Sequence, residues 1–279
     1  SGTGFFSVYN DGNIPLTVTR ISSDNSRFDV STGAFTLQPG NNVQVEVTFN
    51  PTNMGEHSAN IAVYSNDTGE STRTVYVRGN GAAPEIRLST TSINIGNVDV
   101  DGSNSQSFLI YNDGNKDLTV NDISTDNSRF SVSSSSATIQ PGGDFNVTVT
   151  YTPNAIGEEW ANVTINSDDS DEGTAKLHVR GTGIAPEISL STNSIDIGNV
   201  DIGDSKSQSF SIYNEGNKDL TINNIYTENN KFSVSSSSAI IQPGGYLDVT
   251  VTYTPDAMGE EWANVTINSD DNDEGSAQY

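Results

Sequence analysis

The densest carboxylates in the sequence lie in two short runs, Asp168–Gly173 (DDSDEG) and Asp270–Gly275 (DDNDEG). A hard cation such as Ca²⁺ takes about six to eight oxygen ligands, drawn from carboxylates and carbonyls that a bent loop can bring together. Asp168, Asp169, Asp171 and Glu172, and in the second run Asp270, Asp271, Asp273 and Glu274, are therefore candidate Ca²⁺ ligands, with Gly173 and Gly275 permitting the bend. The spacing is not that of an EF-hand loop, and a third version, Asn66–Ser71 (NDTGES), has fewer carboxylates. The competing reading is a solvated acidic hairpin that discourages pairing at a sheet edge. Asn97–Gly102 (NVDVDG) is a weaker candidate of the same kind.

Other chemistry is sparse. The two histidines, His57 and His178, occupy unrelated positions, and no serine has the GxSxG setting of an activated nucleophile. The expectation is a protein that is not an enzyme and holds no cofactor, Ca²⁺ apart. Without cysteine there is neither a thiolate metal site nor a disulfide to report an oxidising compartment. Asn66, Asn146, Asn162 and Asn264 begin N-x-S/T triplets and are candidate glycosylation sites in an exported protein. Trp160 and Trp262 are out of phase with the apolar positions around them, which suggests interface anchors for a sugar or a neighbouring subunit. Lys116 and Lys218 follow a YN(D/E)GN turn in polar surroundings, which does not suit a buried lysine cross-link.

The charge balance narrows the partners. Net charge is −24, from 36 acidic and 12 basic residues, and such a surface repels nucleic acid and anionic lipid. No apolar run approaches the length of about 18 residues that a spanning helix needs. A hydrophobic content of 33% is low for one large core but workable for small two-sheet domains with one polar face.

The elements that position these residues recur. YNDGN at Tyr9–Asn13 returns at Tyr111 and, as YNEGN, at Tyr213. NSRF at Asn25, QPG at Gln38, the (M/I)GE segment at Met54 and the RGxG closing at Arg78 return in the same order, each 102 residues later. Pro84–Leu177 and Pro186–Tyr279 are identical at 69 of 94 positions. A period of this length suits a self-contained domain better than a solenoid unit. Ser1 aligns with Ser103 and Tyr279 with Leu177, so the sequence reads as a window on a longer array. The runner-up is a subunit whose end domains are completed by strands from neighbours.

Within one copy, Phe145, Val147, Val149 and Tyr151 alternate with polar residues, as do Ala161, Val163 and Ile165, and Ala175, Leu177 and Val179. Period-2 alternation between Gly, Pro and Asp turn signals predicts short antiparallel strands, near 86–88, 93–95, 106–111, 118–124, 129–133, 137–140, 144–151, 159–166 and 174–180. The fold class expected is all-β: tandem immunoglobulin-like sandwiches of seven to nine strands each, in an elongated array. The glycine of YN(D/E)GN is expected to supply positive φ in a tight turn. The Pro-containing joints RGNGAAPEI and RGTGIAPEI are expected to be semi-rigid.

The ordered set IGNVDIGDSKSQSFSIYNEGNKDLTI…FSV…IQPGG…VTVTYTP…GEEWANVTINSDD resembles the choice-of-anchor D repeat, a prokaryotic relative of ASH/hydin-type and major-sperm-protein-like immunoglobulin modules. The resemblance covers the middle copy fully and the outer two wherever they are present. It implies an extracellular or cell-surface prokaryotic protein in which the module serves as spacer, stalk or assembly unit. The domains expected are 1–82 (lacking the first strand segment), 83–184 (complete) and 185–279 (lacking the end of its last strand). The function expected is a structural stalk, filament or surface-layer element that associates with itself or with neighbouring subunits of a surface assembly. The alternative is an adhesin whose loops bind glycan, Ca²⁺ or a protein. No nucleic-acid partner and no membrane insertion are expected.

Overall fold

The computed structural model describes residues 1–272 and the backbone of 276–278. It is all strand, turn and loop. Repeat 1 contains β1 (Gly2–Tyr9), β2 (Leu16–Ser23), β3 (Phe28–Val30), β4 (Phe35–Leu37), β5 (Asn42–Phe49), β6 (Gly55–Ser65) and β7 (Thr72–Gly81). Repeat 2 contains β8 (Ile86–Leu88), β9 (Ser92–Asp99), β10 (Asn104–Asn112), β11 (Leu118–Thr125), β12 (Phe130–Val132), β13 (Ala137–Ile139), β14 (Asp144–Tyr151), β15 (Gly157–Ser167) and β16 (Thr174–Ile184). Repeat 3 contains β17 (Ile188–Leu190), β18 (Lys206–Asn214), β19 (Leu220–Thr227), β20 (Phe232–Val234), β21 (Ala239–Ile241), β22 (Tyr246–Tyr253), β23 (Val265–Ser269) and β24 (Ser276–Gln278).

Repeat 2 shows the complete plan. One sheet runs β12-β14-β10-β8 and the other β13-β11-β15-β16-β9. Every pairing is antiparallel except β9, which lies parallel to β16 at the sheet edge. Alternation in β10 and β14 sends Phe108, Ile110, Val147, Val149 and Tyr151 inward, where they meet Ala161, Val163, Ile165, Leu177 and Val179 from the other sheet. Two faces of branched and aromatic residues removed from water supply the main driving force for the sandwich. A register shift between Val120 and Asp122 lets both Val120 and Ile123 point inward. The same shift recurs at Val18/Arg20 and Ile222/Asn224. On the outer face, Ser105 pairs with Thr150 and Ser107 with Thr148, each hydroxyl pair at 2.9 Å, so the sheet meets water with satisfied polar groups.

Packing explains the glycines that close each repeat. A Cβ on Gly181 would lie 2.3 Å from the Tyr151 ring, and one on Gly79 would lie 2.5 Å from Phe49. Those rings stack on Phe130 and Phe28, with centroids 4.6 and 4.7 Å apart. The three repeats differ in closure. Among the described residues, the repeat 2 core holds nineteen buried hydrophobic residues, four of them from β8 and β9, and that of repeat 1 eight. In repeat 3, the counterpart of β9 packs Ile195, Ile197 and Val200 against the core without forming a ladder. Residues 260–264 likewise lie outside a strand, where their counterparts in β15 pair with β16.

Candidate functional site

The YN(D/E)GN turn joins one repeat to the next. Asn112 is fully buried, and its Nδ2 donates to the Lys116 carbonyl at 2.8 Å and the Ile139 carbonyl at 2.9 Å. Its Oδ1 accepts from the Gly114 N–H at 3.0 Å and the Glu85 N–H at 3.3 Å. Asn115 then reaches back across the joint. Its Nδ2 donates to the Gly81 carbonyl at 2.8 Å, its Oδ1 accepts from the Ala83 N–H at 3.0 Å, and its own N–H donates to the Ala83 carbonyl at 3.1 Å. The second joint repeats the pattern. Asn217 donates to the Gly183 carbonyl at 2.9 Å and accepts from the Ala185 N–H at 3.0 Å, while Asn214 accepts from the Glu187 N–H at 3.3 Å. Lys218 adds a direct ion pair to the preceding repeat, 2.6 Å from Asp99 Oδ1.

The reason for the glycine differs from the one expected. Gly114 and Gly216 are not among the glycines with positive φ. A Cβ there would instead lie 2.4 Å from the carbonyl oxygen of Ala83 or Ala185, with the next linker nitrogen at 2.7 Å. The glycine makes room for the linker backbone. Asp99, read from sequence as part of a weak metal candidate, is a junction residue.

The acidic loop between β15 and β16 is also occupied by backbone. Asp168 Oδ1 accepts from the Thr119 N–H at 2.8 Å, as Asp270 does from Thr221 at 2.7 Å and Asn66 from Thr17 at 2.8 Å. Asp169, 3% exposed, takes the Ile86 N–H on Oδ2 at 2.7 Å and those of Asp171 and Glu172 on Oδ1 at 3.3 and 3.5 Å. Asp271 accepts from the Ile188 N–H at 2.8 Å. The loop therefore pins the segment that follows each linker. Burial pushes the Asp169 carboxyl upward, but hydrogen bonds from Ile86 and its own loop outweigh this and hold it below the ordinary carboxylate value.

Asp169, Asp171 and Glu172 meet Glu85, each presenting a carboxylate oxygen within 4.8 Å of the others. Asp168 is not in the group. Glu85 was missed because it lies 84 residues before Asp169, and only the fold brings them together. Desolvation, then repulsion from Asp169, Asp171 and Glu172, raises the Glu85 carboxyl above its ordinary value. Such a donor set suits a hard divalent cation. Asp273 and Glu274 lie outside the described residues.

The remaining candidates sit apart. The Asn162 Nδ2 donates to Asp126 Oδ2 at 2.6 Å, and its N–H donates to Oδ1 at 2.7 Å. Asn60 makes the same pair with Asp24 although no S/T follows it two residues on, so the amide at this position serves the Asp. Asn146 is exposed on the outer face of β14, and Asn264 is exposed just before β23. Trp160 and Trp262 are 58% and 77% exposed, and the Arg180 guanidinium lies 5.5 Å from the Trp160 ring centroid. His178 is exposed, and the His57 Nε2 sits 3.2 Å from the Asn53 carbonyl.

Several known proteins are similar to parts of this chain. A relative, "Cilia- and flagella-associated protein 65" of Chlamydomonas reinhardtii, is 27% identical over 157 residues, which are 54% of this chain and 7% of that protein. The chain thus spans a small fraction of the relative's length. Among solved structures, a Porphyromonas gingivalis W83 protein of unknown function is 19% identical, with 65% of this chain and 91% of that one covered at a TM-score of 0.33. The ASH/PapD-like domain 7 of human CEP192 is 15% identical, with 37% and 87% covered at a TM-score of 0.33. The family described as "HYDIN/CFA65/VesB-like, Ig-like domain" matches residues 3–80, 84–182 and 186–279, so this chain belongs to that family as three tandem immunoglobulin-like domains.

Proposed function

We propose that the chain is a non-catalytic structural spacer whose immunoglobulin-like modules are locked head to tail, so that it holds what it connects at a fixed distance and angle. The observation that carries this reading is the joint, where Asn115 and Asn217 bind the preceding linker through the same three bonds. Similarity to a cilia- and flagella-associated protein favours assembly over catalysis. A net charge of −24 opposes indiscriminate lateral sticking between rods. A stalk or filament setting at a prokaryotic cell surface, with the same chain or neighbouring subunits as partners, belongs to this proposal and rests on the motif resemblance.

Spin labels test the spacer, because the chain contains no cysteine to compete with introduced labelling sites. Narrow inter-repeat distance distributions are expected. Distributions as broad as a flexible linker gives would overturn the reading. A second reading, adhesion through module loops that bind Ca²⁺ or glycan, is favoured by the convergence of Glu85, Asp169, Asp171 and Glu172. Calorimetric titration with CaCl₂ separates the two. Saturable uptake lost in Glu85→Gln supports the second, and the absence of heat removes Ca²⁺ from it.

A further inference from the structure

We propose that Asn80 is a self-modification site: its side-chain amide is lost to attack by the backbone nitrogen of Gly81, and the isoaspartate that results unlocks the first joint while the second stays intact. Asn80–Gly81 is the one Asn-Gly step in the sequence, and the corresponding step at the second joint is Thr182–Gly183. Asn80 is exposed near the end of β7, and its side chain has no hydrogen-bond partner among the described residues. Glycine follows it for a packing reason. A Cβ on Gly81 would lie 2.1 Å from the Asn53 carbonyl oxygen, and one on Gly183 would lie 2.1 Å from that of Ala155. The fold therefore fixes glycine, the least hindered residue, at both joints. The residue before it decides whether the chemistry occurs, and threonine carries no carboxamide.

The reaction balances with water as its only co-reactant. The Gly81 nitrogen gives up its proton and attacks Asn80 Cγ. The N–Cγ bond forms, the Cγ–Nδ2 bond breaks, and the amide leaves as ammonia with that proton. Water then opens the five-membered succinimide at either carbonyl, giving aspartate or isoaspartate. Ring closure needs the Asn80 backbone to rotate out of its extended form. β7 ends at Gly81, so the rotation gives up the terminal pairing of Gly81 with Gly55 and leaves the ladder interior in place.

Isoaspartate is the product that acts on the joint. It routes the chain through the former side chain and adds one backbone bond of about 1.5 Å just before the Gly81 carbonyl. That carbonyl takes the Asn115 Nδ2 at 2.8 Å, a bond that a displacement on this scale breaks. The bonds between Ala83 and Asn115, at 3.0 and 3.1 Å, lie two residues further along the same displaced segment. This consequence rests on the spacer reading of the joint, whereas the loss of ammonia does not.

The test ages the whole chain in warm, mildly alkaline buffer and follows it by peptide mapping with mass spectrometry. A gain of one mass unit is expected at Asn80 ahead of every other asparagine, as two separable products, and is expected to be lost in Asn80→Thr. Spin-label pairs then read the joints. In the aged chain the distance distribution across the first joint should broaden while that across the second keeps its width. Asn80→Asp adds the charge without the extra backbone bond and should leave both narrow. No gain at Asn80, or a gain no faster than at other asparagines, would overturn the site. An unchanged first joint in the isoaspartate form would overturn its effect. Distributions already broad before ageing would sink the spacer reading and the effect on the joint with it, and the mass gain alone would then decide the site.

Discussion

At the residue scale, the effect of a substitution turns on what a single atom meets. Gly12, Gly114 and Gly216 occupy equivalent places, but only the last two face a linker. In Gly12 an added Cβ would find its nearest atom, the Asn10 Oδ1, at 3.2 Å. Gly216→Ala should therefore lower stability by about 1–3 kcal/mol, while Gly12→Ala, which meets one side-chain oxygen in place of linker backbone, should cost less, as read by urea denaturation. Among the described residues, Asp101 is the non-glycine residue with positive φ, at 64°, and its counterpart in repeat 3 is Gly203 at 88°. Asp101→Gly should stabilise repeat 2 by about 0.5 kcal/mol, a modest gain because aspartate tolerates this region better than most residues and glycine adds entropy to the unfolded chain. Tyr151 is raised to about 12, first by burial and then by its hydrogen bond to Glu159. A raised folded value means stability that is fully present below about 10 and lost as pH rises through about 12. Alkaline unfolding should soften in Tyr151→Phe, a change that repeat 1 already carries as Phe49.

At the element scale, the strands were legible because two-sided burial writes itself into the sequence as alternation. Phe145 to Tyr151 and Ala161 to Ile165 alternate inward and outward as the pattern requires. The anchors were not legible, because Asp169 and Ile86, or Asn115 and Gly81, meet only after the sandwich has closed. A carboxylate in a run of carboxylates looks like a cation ligand, and nothing local reveals that it caps a backbone N–H. The pH response follows from these elements. Asp24, Asp126 and Asp113 are held below the ordinary carboxylate value, the first two by hydrogen bonds from Asn60 and Asn162 and the third by Arg87. Their contribution is present above about pH 4 and is lost as pH falls through the depressed folded values. Glu85, raised, acts in the opposite sense, its contribution being lost as pH rises through its folded value. Acid titration followed by circular dichroism should show the decline, and Asp126→Asn should make it shallower.

At the scale of the whole molecule, the chain is one joint used twice. The 102-residue period and the two near-identical linkers foretold repetition. The bonds from Asn115 and Asn217 to the preceding repeat, on which the proposed fixed angle rests, had no local signal in the sequence. Asp29, Ser131 and Ser233 occupy equivalent exposed positions on β3, β12 and β20, one in each repeat. Cysteine pairs at 29/131 and 131/233, spin-labelled and measured by pulsed dipolar spectroscopy, compare the two joints directly. Equal joints predict two narrow distributions with the same centre, both broadening when Asn115 and Asn217 are replaced by alanine. Distributions that are broad from the start, or centred at clearly different distances, would contradict a rigid repeated joint.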